Sequence, residues 1–137
     1  LTSAPAIAEF VVENLIPPEY KAVKNASFNP ERKPDNFFNL LNDDEKNEII
    51  RKNHEYGRIV CRCEQITEGE IVEAIHKNPP ALTVDAIKRR TRSGMGRCQG
   101  GFCGSRVTEI IARELNVPLE EVRKSGKNSQ MLMGKTK

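Results

Sequence analysis

Cys61-Arg62-Cys63 and Cys98-Gln99-Gly100-Gly101-Phe102-Cys103 are the stretches on which the reading of this chain turns. One is C-x-C and the other C-x4-C, with 34 residues between them, and together they hold all 4 cysteines of the 137 residues. What surrounds them fixes the fold. Arg58-Ile59-Val60 is a short extended run that feeds the first pair. Thr67-Glu68-Gly69-Glu70 has the pattern of a capping box, with Thr67 at the N-cap and Glu70 three residues on. The helix it opens carries Ile71, Val72 and Ile75 inward and stops at Asn78-Pro79-Pro80. Thr83 caps a second helix bearing Val84, Ala86 and Ile87, which runs out at Ser93-Gly94-Met95-Gly96. A third helix spans about Ser105 to Leu115, and Pro118 opens a short fourth. The first two helices form a hairpin between the cysteine pairs. Such a hairpin returns both cysteine loops to one end. The expected fold is all-α: a small helical bundle of hairpin, third helix and short fourth helix, with the cysteine-bearing loops at one end.

Three chemistries suit four thiols so arranged. A [2Fe-2S] cluster takes two thiolates at each iron, so two close pairs are a natural donor set. A structural zinc takes four thiolates, although C-x-C is tighter than the usual knuckle spacing. Disulfides would have to run between the pairs, since C-x-C is a strained spacing for a bridge. Nothing in the sequence marks a secreted chain, which argues against them.

Five of the eleven residues from 94 to 104 are glycine. Glycine tolerates positive φ and close backbone approach. Backbone N–H groups can then point at sulfur, where they tune reduction. Between Ala86 and Thr108 the charged residues are all basic: Lys88, Arg89, Arg90, Arg92, Arg97 and Arg106. A four-thiolate [2Fe-2S] cluster is negative and becomes more so on reduction, and nearby cations offset that. A solvated helix face would also read this way. So would a zinc module that binds nucleic acid, but the segment lacks stacking aromatics.

Further out the chain is lean. Ile, Leu, Val and Phe make up about a quarter of it, enough for a core but not a generous one. There is no Trp, and the aromatics are five Phe and two Tyr. A core this small often leans on a metal, a disulfide or a partner. The net charge of +3 indicates no class of ligand by itself. No apolar run is long enough to span a bilayer. The two histidines, His54 and His76, stand apart from any nucleophile, and the glycine-rich loop lacks the Lys-Ser/Thr of a phosphate loop.

Toward the N-terminus, Ser3 and Pro5 open a helix with Ile7, Phe10, Val11 and Leu15 on one face, closed by Pro17-Pro18. Residues 17–41 are a Pro-rich linker in which Phe28, Phe37 and Phe38 are expected to dock on something. Residues 42–57 form a short connecting helix, capped by Asn42 or Asp43. The cluster-binding domain is placed at 58–124 and a disordered tail at 125–137. A chain opening Leu1-Thr2-Ser3-Ala4-Pro5 reads as a piece of something longer.

Residues 58–123 resemble the bacterioferritin-associated ferredoxin-like (BFD-like) [2Fe-2S] domain, on Ile59-Val60-Cys61-Arg62-Cys63-Glu64 and on Gly94-Met95-Gly96-Arg97-Cys98-Gln99-Gly100-Gly101-Phe102-Cys103. The C-x4-C spacing differs from the C-x2-C of the small ferredoxin and looks like the version fused to FAD-dependent oxidoreductases. Leu1-Thr2-Ser3-Ala4-Pro5-Ala6-Ile7-Ala8-Glu9 resembles the last helix of the flavin domain in FAD-dependent glycerol-3-phosphate dehydrogenases. The two matches together resemble the C-terminal portion of the anaerobic type of that family, with residues 1–16 as the end of the flavin domain.

The resemblance implies an electron-transfer module with Cys61, Cys63, Cys98 and Cys103 as ligands of a [2Fe-2S] cluster. Zinc is a substitute metal. FAD belongs to the parent chain, with Thr2 and Ser3 near it. Arg62 and Arg97, next to ligands, are candidates for tuning the cluster or touching a partner. The expected partners are the parent's own flavin domain and an electron-transfer subunit, with no nucleic acid and no membrane span. The expected location is cytoplasmic, peripheral to the inner face of the membrane through a partner. The parent would be an enzyme, and this fragment alone would have no catalytic activity. The alternative is a metal-stapled docking module.

Overall fold

The structure is a computed structural model, and it describes residues 2–17, 19, 20, 23, 25–28 and 38–134. The chain divides into two compact units, residues 1–34 and 35–137.

In the first unit, α1 runs Ala4–Asn14 with Pro5 in its opening turn. Ser3 occupies the N-cap position, but its side chain makes no capping hydrogen bond. No residue of α1 is buried, and Ile7, Phe10 and Leu15 are all more than half exposed. Most of the Pro-rich stretch falls outside the described residues, Phe37 included. Of the two described phenylalanines expected to dock, Phe28 is exposed.

Phe38, in the second unit, is buried, with its ring centroid 5.6 Å from that of Tyr56. Here α2 spans Asp43–Lys52. Asn42 and Glu45 close a capping box on it, Asn42 Oδ1 accepting from the Glu45 amide at 3.0 Å and Glu45 Oε2 from the Asn42 amide at 3.0 Å. Tyr56, in the turn His54–Gly57, donates its hydroxyl to Glu73 Oε2 at 2.7 Å, which ties this turn to the next helix.

The extended run before the first cysteine is a strand, β1 (Ile59–Cys61), paired antiparallel with β2 (Ile66–Thr67). Ile59 faces Thr67 and Cys61 faces Ile66, with an irregularity between. The all-α expectation is corrected to a mostly helical fold with a small two-stranded sheet. The cause is local. β-Branched Ile59, Val60, Ile66 and Thr67 flank a four-residue turn in which Gln65 takes φ +56.

Helix α3 (Glu68–His76) begins at the expected capping box: Glu70 Oε2 accepts from the Thr67 amide at 2.8 Å, and Thr67 Oγ1 from the Glu70 amide at 3.3 Å. Helix α4 (Val84–Thr91) is capped by Thr83 Oγ1 on the Ala86 amide at 3.1 Å and ends at Arg92 in the left-handed region. Helix α5 (Gly104–Leu115) has Cys103 at its N-cap position. α3 packs against both α4 and α5. Their facing residues, Ile71, Ile75, Ile87, Val107, Ile110 and Ile111, form one buried core with Ile66, Ala81, Val122 and two cysteines, Cys61 and Cys103.

The expected fourth helix is a single 3-10 turn, Leu119–Glu121. Three residues before Val122 re-enters the core leave no room for an α-turn to propagate. Where the sequence suggests a disordered tail from residue 125, the chain instead folds back. Arg123 pairs with Gln130, the Met131 amide donates to the Val122 carbonyl at 2.9 Å, and Met131 packs on the core.

Candidate metal-cluster site

Two loops build the site. The turn between β1 and β2 carries Cys61 at a strand end and Cys63 two residues on. The loop between α4 and α5 carries Cys98 and ends at Cys103, where α5 begins. The hairpin α3–α4 returns the second loop beside the first, as the spacing predicts.

The cysteines meet across the loops rather than within them. Cys63 Sγ lies 3.9 Å from Cys98 Sγ, and Cys103 and Cys61 are neighbours in the buried core. All four are free, and 3.9 Å is about twice a disulfide bond. Their surroundings differ. Cys61 and Cys103 are buried, Cys63 is exposed and Cys98 lies between.

The glycine loop shapes this arrangement. A Cβ on Gly96 would stand 2.2 Å from Cys63 Cβ, so only glycine lets the two loops approach this closely. Gly100, at φ +86, turns the chain so that backbone N–H groups face a sulfur. The amides of Phe102 and Gly100, and less so that of Gly101, hold the Cys98 thiol below its ordinary pKa, aided by the Cys63 thiol. The Cys103 thiol goes the other way. Burial pushes it up, the neighbouring Cys61 charge adds to that, and the Ser93 hydroxyl at 3.9 Å opposes it. Outside the thiols, Arg92 Nε donates to Glu64 Oε2 at 2.8 Å and so ties the two loops together.

The four thiols line an open cleft of about 740 Å³ with Arg58, Ile59, Val60, Arg62, Glu68, Phe102 and Arg106. Among the predicted residues, Arg62 is in the lining. Arg97 is exposed and is not part of it. Thr2 and Ser3 are exposed at the start of α1 in the other unit. His76 pairs with Glu114 at 2.8 Å, and its hydrogen bond draws the Glu114 carboxyl below the usual range.

Sequence reasoning missed Glu68. Its side chain is only 1% exposed, yet it lines the cleft. Burial would raise its pKa, but the hydrogen bond from Arg113 and the charges of Arg113, Arg58 and Arg106 hold it below the ordinary range. In sequence it is an acid in the first turn of a capped helix, which reads as a solvated partner of the helix dipole. Its cations, Arg58, Arg106 and Arg113, come from other segments of the chain, and no local signal announces them.

The residues fit a [2Fe-2S] cluster on their own chemistry. The donor set is thiol alone, gathered as contacts between two pairs, with amides aimed at one sulfur and arginines on the cleft wall. Among the described residues, no group of three or more His, Cys, Asp or Glu converges on a single metal ion; the thiols meet two by two. A small helical domain presenting two cysteine pairs in this way offers the donor set of a thiolate-ligated metal cluster.

The comparisons make the class specific. Residues 59–113 match the BFD-like [2Fe-2S] binding domain. The whole chain is 54% identical over 137 residues to a glycerol 3-phosphate dehydrogenase of Caloramator mitchellensis, covering 100% of this chain and 28% of that protein. An opine oxidase subunit of Rhizobium meliloti is 47% identical over 64 residues, which are 47% of this chain and 12% of that protein. One subunit of the anaerobic glycerol-3-phosphate dehydrogenase of Escherichia coli strain K12 is 40% identical over 55 residues, or 40% of this chain and 10% of that protein. The chain thus spans less than a third of the length of these relatives. No solved structure matches it.

Proposed function

We propose that this chain is the electron-transfer portion of an FAD-dependent glycerol-3-phosphate dehydrogenase, and that Cys61, Cys63, Cys98 and Cys103 hold its [2Fe-2S] cluster. The observation that carries the reading is the meeting of C-x-C and C-x4-C thiols across two loops under the Gly100–Phe102 amides. The 54% identity along the whole chain to a glycerol 3-phosphate dehydrogenase supports the substrate. When bound, the cluster takes up and returns single electrons. The chain's own residues do the rest. The thiolates bind, the amides of the glycine loop stabilise negative charge on sulfur, and the core walls off one side of the site from water. Arg62 and Arg97, exposed beside ligands, offer positive charge to a partner subunit.

Electrons would enter from FAD in the parent's flavin domain, with Thr2 and Ser3 at the end of the chain nearest it, and leave to the partner subunit or a quinone pathway. The chain would sit at the cytoplasmic face of the membrane through that partner. Among the described residues no helix is long and apolar enough to cross a membrane.

A second reading has one observation in its favour: Cys61 and Cys103 are part of the core, as they would be in a structural staple. One experiment tests both. The chain is purified anaerobically, its visible spectrum recorded, and iron, sulfide and zinc quantified. About two irons and two sulfides per chain, with bands that bleach on dithionite, support electron transfer. A cluster that cannot be reduced supports the staple. Stoichiometric zinc that persists through anaerobic reconstitution with iron and sulfide overturns the proposal.

A further inference from the structure

Glu68 is the hub of an ionic cluster that the cluster-binding role does not by itself require. Its carboxylate is 1% exposed and is met from two sides. Arg58 Nη1 stands 3.3 Å from both of its oxygens, and Arg106 Nη2 stands 3.7 Å from Oε2. Arg113 Nη1 donates to Oε1. Arg58, Arg106 and Glu68 all line the cleft with the four cysteines, whereas Arg113 does not.

The positions matter more than the count. An exposed arginine such as Arg97 places its charge over a wide volume of water, where screening is strong. A guanidinium anchored to a buried carboxylate is fixed in orientation and distance. Two such cations against one carboxylate leave the cleft wall positive. A one-electron reduction beside that wall adds negative charge where the charge is fixed and water is partly excluded.

We infer that Arg58 and Arg106, held at the cleft by Glu68, are the positioned charges that set how readily a [2Fe-2S] cluster bound there accepts an electron. The inference rests on the cluster reading above. Arg106 also reaches Glu109, at 2.9 Å, so Glu68 competes for it with a surface carboxylate. Glu68 has a mechanical role too. It joins the entry to β1, the start of α3 and the outer side of α5, so stability alone cannot identify the electrostatic role.

The test uses the whole chain reconstituted with iron and sulfide, with cluster content and reduction potential read for each variant. Arg106→Gln and Arg58→Gln each make reduction about tenfold less favourable, about 59 mV downward for a one-electron couple. Arg106→Lys, which keeps the charge, recovers most of that shift. Arg113→Gln removes a cation from the same carboxylate but from outside the cleft. It lowers the unfolding midpoint and leaves the potential in place. In a Glu68→Gln background the Arg106→Gln shift falls to less than half, because the charge is no longer anchored. Arg106 is half exposed, so its variants test the inference even if Glu68→Gln does not fold.

Unchanged potentials in Arg106→Gln and Arg58→Gln, with clusters intact, overturn the inference and leave the cluster reading standing. So does an Arg113→Gln shift as large as theirs. Failure of the unsubstituted chain to assemble any cluster overturns both.

Discussion

The two cross-loop thiol pairs differ in what the rest of the fold asks of them. Cys61 and Cys103 are at once proposed ligands and core residues, packed in the same buried cluster as Ile111 and Val107. Cys63 and Cys98 stand toward solvent and owe their placement to Gly96 and to the backbone amides of the second loop. One side of the site is thus built by hydrophobic packing and the other by loop geometry. Substitutions that spare the metal chemistry should therefore separate the two sides by stability.

The largest effect is expected beneath the inner pair. Ile111→Ala removes a fully buried side chain from the core shared with Cys61 and Cys103. It should cost about 2–5 kcal/mol in the metal-free protein, measured by denaturant titration. A loss below about 1 kcal/mol would show that the inner thiols do not share a packed core.

Next come the cysteines themselves. Cys103→Ser puts a more polar group into the buried core, with Ser93 as a polar neighbour, and should cost about 1–3 kcal/mol without metal. Cys63→Ser, at the exposed position, should stay within about 0.5 kcal/mol. Both should abolish cluster assembly. Equal costs in the metal-free proteins would erase the distinction between the pairs.

Gly96→Ala tests the outer side. The added methyl meets Cys63 Cβ and forces the loops apart. It should cost up to about 1–3 kcal/mol and reduce cluster occupancy more than Gly126→Ala, where a Cβ meets nothing.

The smallest effect is one of pH. Because the Cys98 pKa is lowered, a larger share of Cys98 is thiolate at any pH below the ordinary thiol range. Burial does the reverse at Cys103. In the metal-free chain, alkylation read by peptide mass spectrometry should reach half its maximal rate at a lower pH for Cys98 than for Cys103. The reverse order would mean that the amides do not act on Cys98.

Much of this was legible in the residues. The thiol spacing, the Thr67 and Thr83 caps and the apolar stripe of α5 are local signals, and each formed where it was read. What escaped was either too short to read or non-local. β2 is two residues long and exists only because β1 lies beside it. Met131 packs on the core through a pairing at Arg123 that no periodicity announces. Glu68 differs from any first-turn acid only in the arginines that reach it from distant segments. The same limit explains the basic run. Sequence singled out Arg62 and Arg97, next to proposed ligands; the cleft is lined by Arg62 with Arg58 and Arg106, and not by Arg97.

The Cys63–Cys98 contact joins positions 35 residues apart. Any group that bridges these two sulfurs ties the intervening helical hairpin into a ring and removes conformational freedom from the unfolded chain. A covalent link closing a ring of this size is worth about 3–4 kcal/mol in the chain-entropy view, a large share of what so lean a core can supply. Filling the site and holding the fold then become one equilibrium. If the proposed cluster is that group, a cell short of iron or sulfide would lose folded protein along with the proposed electron flow.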